Sequence, residues 1–385
     1  MIRNLLALGF RPFYLLASVF SVVAILLWLA SLNGRLHLGA YLPGMFWHSH
    51  EMLFGYIVAV IAGFLFTAVR NWTGLPTPTG LALGGIAALW LLARVLLVSG
   101  PSFVAVFLDV AFLPLVAVAI AIPIVRSRNK RNYKVIGVLA VASLLHLLFH
   151  LALGGQLPAW LSRASLFASI DLVVILFALI GGRVIPAFTR NAVAGSNPRH
   201  EPWLEVVAFG SLLLIVLVSL IGDAIAFAAW IPASLFVVAA VAHLLRLALW
   251  QPLLTLGNPL LWMMPVAYSW LPVALMLRAL STAAVVVPGA WIHALTMGAL
   301  SSLMMAMMMR STLGHTGRNL VASPMDMAAF TVLQVAALIR VVAGSSGSYQ
   351  ALVILSGVAW VLAFALFMSR YLPMLVRPRV DGKPG

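Results

Sequence analysis

Five histidines share a position near one end of a long apolar run. His48 and His50 open the run 46–68, His146 and His150 close 134–153, and His293 opens 290–310. Neutral imidazole is the commonest metal ligand and titrates near physiological pH. The group therefore reads as a metal or haem site, or as interhelical hydrogen bonds and a proton path. His146 and His150 are i, i+4 and share a helical face, where they could hold one metal. His48 and Glu51 are i, i+3 and also share a face. His50 is turned about 200° from His48 at helical pitch, so the two face different neighbours. Glu51, Asp109 and Asp171 are the acids at this depth, three of the eight in the chain. His293, Met297, Met304 and Met308 fall at offsets 0, 4, 11 and 15, a stripe of imidazole and thioether that suits Cu(I). Methionine is also an ordinary core filler, and Met305, Met307 and Met309 surround the stripe. Trp47 and Trp291, beside the histidines, read as interfacial belt residues.

The elements that must position these residues are membrane spans. The chain has 385 residues, 64% hydrophobic and only 8% charged. That excludes a soluble globular fold, which carries about 25% charged residues, and a disordered chain. An outer-membrane barrel would alternate polar and apolar residues. Apolar stretches repeatedly reach the roughly 20 residues a helix needs to cross a bilayer. The expected fold is all-α, a polytopic transmembrane bundle in a single integral membrane domain, 1–385. Twelve spans are expected, at 13–32, 46–68, 80–99, 102–125, 134–153, 164–188, 203–222, 224–249, 258–280, 290–310, 324–343 and 349–371. A very tight turn near Gly222-Asp223 is expected between the seventh and eighth. There is no cysteine, which excludes disulfides, thiolate zinc and cysteine-held iron–sulfur clusters.

Charge sets the expected orientation. Of 23 Lys and Arg residues, Arg35, Arg94, Arg163, Arg278 and Arg340 fall at one face. The others gather at the opposite face, including Arg126, Arg128, Lys130, Arg131 and Lys134 in one loop. Positive charge stays inside, so both termini are expected in the cytoplasm and the five histidines in the outer half of the membrane. The net charge of +15 is thereby topology rather than nucleic-acid binding. The first span lacks a convincing cleavage site and reads as retained.

Two inner-side motifs stand out, Arg70-Asn71-Trp72-Thr73-Gly74 and the stretch Gly181-Gly182-Arg183 through Pro186 to Asn191. The glycine pair permits close helix approach. Pro186 is expected to break the helix, with Arg183 capping the freed carbonyls, as a structural joint or a broken-helix site of transporter type. Arg70, Arg190 and Arg310 sit 120 residues apart, as do Glu51 and Asp171. That spacing fits three parallel four-helix units, and equally a common preference for Arg at inner helix ends. His37, in an outer loop, and His200 read as solvated.

His48-Ser49-His50-Glu51-Met52-Leu53-Phe54-Gly55, the Asn71-Trp72-Thr73-Gly74 element, Gly181 to Asn191, and His293-Ala294-Leu295-Thr296-Met297-Gly298 running on to Arg310-Ser311-Thr312-Leu313-Gly314-His315 together resemble the NnrS family, in order and over essentially the whole chain. The resemblance implies a multi-span bacterial inner-membrane protein containing haem and copper, linked to denitrification and the nitric oxide response. It implies lipid and nitric oxide as partners and names no electron donor or catalytic activity. On that footing a haem, expected b-type, is placed between the second, fifth and tenth spans. One ligand would come from His48 or His50 and one from His146 or His150. His293, with Met297, Met304 and Met308, would face copper or an open gas-binding position. Glu51, Asp171 and Asp109 would support the ligands, and Arg94 or Arg278 would pair with propionates. Arg183, Asn71, Asn191 and His315 complete the candidate functional residues. The competing class is a secondary transporter without haem.

Overall fold

The computed structural model describes residues 2–38, 41–42, 44–99, 103–225 and 227–383. Among them, twelve helices are long and apolar enough to cross a membrane. The first six are α1 Phe10–Leu32, α2 Met45–Thr73, α3 Gly80–Val98, α4 Phe103–Arg126, α5 Lys130–Leu153 and α6 Trp160–Ala192. The others are α7 Pro202–Ile221, α8 Trp230–Leu249, α9 Pro259–Thr282, α10 Pro288–His315, α11 Pro324–Ala343 and α12 Tyr349–Val376. The chain is an all-α, multi-pass membrane protein.

Local chemistry explains the helix ends. Pro occupies the first turn of α7, α9, α10 and α11, where its missing N–H has no intrahelical partner to lose. The Asn258 side chain caps α9 by accepting from Leu260 N. Ser323 and Asp326 form a reciprocal capping box at α11. Gly74 ends α2 in the left-handed region, φ 68°.

Two expectations are corrected. The seventh span ends at Ile221 and the eighth begins at Trp230, so the connection near Gly222-Asp223 is a loop and not a tight turn. Pro186 does not break its helix: α6 is helical from Trp160 to Ala192. A proline loses one backbone bond, and packing on all sides holds the rest. The apolar window of α6 is 94% buried. The real irregularities lie elsewhere. Residues Glu51–Ile57 of α2 and Ala294–Ser301 of α10 are π-helical, a widened turn found often at functional sites.

The chain divides into two compact units. The first is Met1–Ser162, Ser311–Asn319 and Phe364–Gly385, and the second is Arg163–Arg310 and Leu320–Ala363. In the first, α2 is the central helix, its apolar window 89% buried. In the second, α6 holds that place. Each π segment packs a glycine against an aromatic ring. A Cβ on Gly55 would lie 2.5 Å from the Phe20 ring of α1, and one on Gly298 2.5 Å from the Trp270 ring of α9. A histidine stands five residues before each glycine, His50 and His293.

Candidate metal centre

The first unit brings His50, Asp109, His146 and His150 together, all buried, with one ligand atom of each within 4.8 Å of the others. They come from three helices. His50 ends the short α-helical opening of α2, just before the π segment. Asp109 lies near the start of α4, and His146 and His150 occupy one face of α5 near its end. Helices that alternate in direction bring these ends to one level.

Three imidazole Nε2 atoms and one carboxylate oxygen converge. Asp109 Oδ2 lies 3.0 Å from His50 Nε2, 3.1 Å from His146 Nε2 and 2.9 Å from His150 Nε2. His146 Nε2 lies 3.1 Å from His50 Nε2 and 3.2 Å from His150 Nε2. Four donors at about 2.0–2.1 Å from a tetrahedral ion stand roughly 3.3 Å apart. The spacings match such a set.

Protonation makes the same point. His50 Nδ1 lies 2.9 Å from Glu51 Oε1. A carboxylate only accepts, so the neutral ring carries its proton on Nδ1. Nε2 then directs a lone pair at Asp109 Oδ2, another acceptor. A cation between them resolves the conflict, and a carboxylate behind a ligating histidine is a recurrent support for metal sites.

The surroundings fix these groups. Arg94 of α3 donates from Nη1 to Glu51 Oε1 at 2.7 Å and from Nη2 to Asp109 Oδ1. Tyr41, from the α1–α2 loop, holds His150 Nδ1 at 2.9 Å. Burial raises the pKa of Tyr41, so it stays a neutral phenol. The Phe54 ring stacks on His146 with centroids 3.7 Å apart. Glu51 and Asp109 carry two negative charges and Arg94 one positive, so with neutral imidazoles the group has net charge −1. A singly charged ion brings it to zero, and a dry interior penalises any net charge.

A haem does not fit between these rings. Axial imidazoles approach iron from opposite faces, which places their nitrogens about 4 Å apart with a macrocycle between. The three Nε2 atoms here face one point instead.

The other candidates sit elsewhere. His48 stacks on Trp28, centroids 4.7 Å apart, outside the cluster. In the second unit, Asp171 meets a guanidinium and a hydroxyl. It accepts from Arg278 Nη1 at 2.7 Å and from Ser219 Oγ at 2.5 Å. Arg278 in turn lies over the rings of Trp291 and Phe236, and Arg94 is spent on Glu51 and Asp109, so both guanidiniums are committed to protein carboxylates. The belt reading of Trp47 and Trp291 is corrected, since both are buried.

His293 Nδ1 donates to the Gly289 carbonyl at 2.8 Å. The stripe from His293 through Met297 to Met304 and Met308 assumes α-helical pitch, and the π segment 294–301 lies across it. Each inserted residue turns the following face by about 100°. Met308 is fully buried, while Met297 and Met304 are partly exposed. Asn71 and Asn191 are exposed and Arg183 is partly exposed. His315 packs its ring against Phe10.

The family model for NnrS protein matches residues 4–379. The chain belongs to the NnrS family. Comparison with curated proteins gives no match. Two features of this NnrS chain escaped the sequence. Tyr41 is one, a loop residue with no periodicity to mark it. The other is a second-unit network: Arg246 holds Glu205 at 2.8 and 2.9 Å and Tyr268 Oη at 2.5 Å, and His243 Nδ1 meets the same hydroxyl at 2.8 Å. The signals were the i, i+3 pair His243 and Arg246 and the glycine pair. A Cβ on Gly182 would lie 2.6 Å from Arg246 Nη2, so this glycine makes room for the guanidinium.

Proposed function

We propose that this chain is a copper-binding protein of the bacterial inner membrane that responds to nitric oxide. The carrying observation is the convergence of three Nε2 atoms and Asp109 Oδ2 within 3.2 Å along the measured pairs. Of the two cofactors the family resemblance implies, copper suits these donors: imidazole is a good copper ligand, and Cu(I) neutralises the group. No step is assigned to haem.

Copper held by His50, His146, His150 and Asp109 would supply affinity for nitric oxide, a gas that partitions into lipid. The chain does the rest. Glu51 keeps the proton of His50 on Nδ1 and its lone pair on the ligand side. Arg94 pins both carboxylates, so neither swings away when the ion leaves. Tyr41 orients His150. Phe54 and Phe149, packed against the imidazoles, exclude water.

The distribution of Lys and Arg supports cytoplasmic termini and a centre near the periplasmic face, where nitric oxide from denitrification arrives. Elemental analysis of purified protein, with a haem assay beside it, tests the reading. About one copper per chain is expected, lost in His50→Ala and His150→Ala variants. Copper-free protein after copper loading, or copper unchanged in both variants, would overturn it.

A further inference from the structure

The end of the first unit opposite the histidines gathers guanidinium groups. His50 and Thr67 lie towards opposite ends of α2, roughly 25 Å apart at helical rise, and Phe10 N donates to Thr67 Oγ1 at 3.0 Å. Arg11, the next residue, is wholly buried. Its Nη1 donates to the carbonyls of Leu375 at 2.9 Å and Arg377 at 2.7 Å, closing the end of α12. Its Nε and Nη2 are buried with no hydrogen-bond partner.

More positive charge surrounds this orphaned edge. Arg318 and Arg379 lie within Coulombic reach of Arg11, and Arg377 and Arg370 within reach of Arg318. Burial and then these two neighbours lower the Arg318 pKa. His315 lies within reach of Arg11 and Arg379. The acid paired here is Asp381, which accepts from Arg379 Nε at 2.8 Å and Nη2 at 2.6 Å. Among the described residues, one carboxylate thus stands in a group of five guanidiniums, and Nε and Nη2 of Arg11 lack an acceptor.

We propose that this end of the first unit binds a phosphate-class anion, with Arg11 and Arg318 as its donors and Arg379, held by Asp381 and the His315 carbonyl, adding positive charge beside them. The guanidinium fork matches phosphate oxygens. Basic pockets between membrane helices on the cytoplasmic side bind anionic headgroups, and this is the expected cytoplasmic end. The anion is either the headgroup of an acidic phospholipid or free phosphate.

Full-length protein in nanodiscs separates the sources. Its melting temperature is compared in phosphatidylcholine, in phosphatidylcholine with phosphatidylglycerol, and in phosphatidylcholine with millimolar inorganic phosphate. A rise of about 3 °C or more is expected in one arm, and the arm names the source. Native mass spectrometry should show the same anion retained. Arg318→Gln, at a partly exposed position, should fold and lose the rise. Arg35→Gln, in the exposed α1–α2 loop, should keep it. No rise in either arm, or a full rise in both Arg318→Gln and Arg379→Gln, overturns the proposal.

Discussion

The Nδ1 of His50 lies 2.9 Å from Oε1 of Glu51, its neighbour in the chain, and that contact decides what the far side of the ring can do. With its proton held on Nδ1, His50 presents a lone pair to a space bounded by Asp109, His146 and His150. Arg94 closes the relation by bonding both carboxylates. The candidate ligand, the carboxylate behind it and the guanidinium that anchors both carboxylates form one connected unit.

Glu51→Gln should therefore weaken metal binding without removing a ligand. The amide can turn its NH2 towards Nδ1 and favour the wrong tautomer. Loss of such a support typically costs 10–100-fold in affinity. A chelator competition titration reads the change, and wild-type affinity would contradict the role given to Glu51.

Gly55→Ala should disturb the centre through packing. Its Cβ would meet the Phe20 ring at 2.5 Å and Glu51 Oε2 at 3.3 Å. Overpacking of this kind costs about 1–3 kcal/mol. Melting temperature and copper content should both fall, and Phe20→Leu in the same chain should restore part of each. Gly298→Ala meets Trp270 at 2.5 Å and should lower the melting temperature alone.

Tyr268→Phe tests the second-unit network. It removes the hydroxyl shared by Arg246 Nη1 and His243 Nδ1. Leaving buried partners short costs about 1–3 kcal/mol. The variant should melt earlier and bind copper as wild type does. A copper loss equal to that of His50→Ala would show that the network supports the metal.

His48→Ala should retain copper, because His48 stacks on Trp28 away from the converging nitrogens. A variant without copper would move the ligand from His50 to His48.

The spans were legible because apolar runs and turn residues are one-dimensional signals, and the structure extends most of them by only a few residues. The face shared by His146 and His150 was legible for the same reason, since α5 keeps regular pitch through them. The choice between His48 and His50 was not, because it depends on how α2 is rotated about its axis. Asp109 read as a supporting acid at the right depth. Its place among the converging donors follows from the approach of α4 to α2 and α5, which no spacing records. The methionine stripe assumes an α-helical period, and the π segment changes that period. Pro186 misled because burial of α6 outweighs one lost backbone bond.

X-ray absorption at the copper edge of the loaded protein tests the central claim most directly. The account predicts a first shell of nitrogen and oxygen near 2.0 Å with outer-shell imidazole scattering from three histidines. That imidazole signal should fall by a third, or the copper should disappear, in each of His50→Ala, His146→Ala and His150→Ala. A sulfur-dominated shell, or a spectrum unchanged in all three variants, would contradict the account.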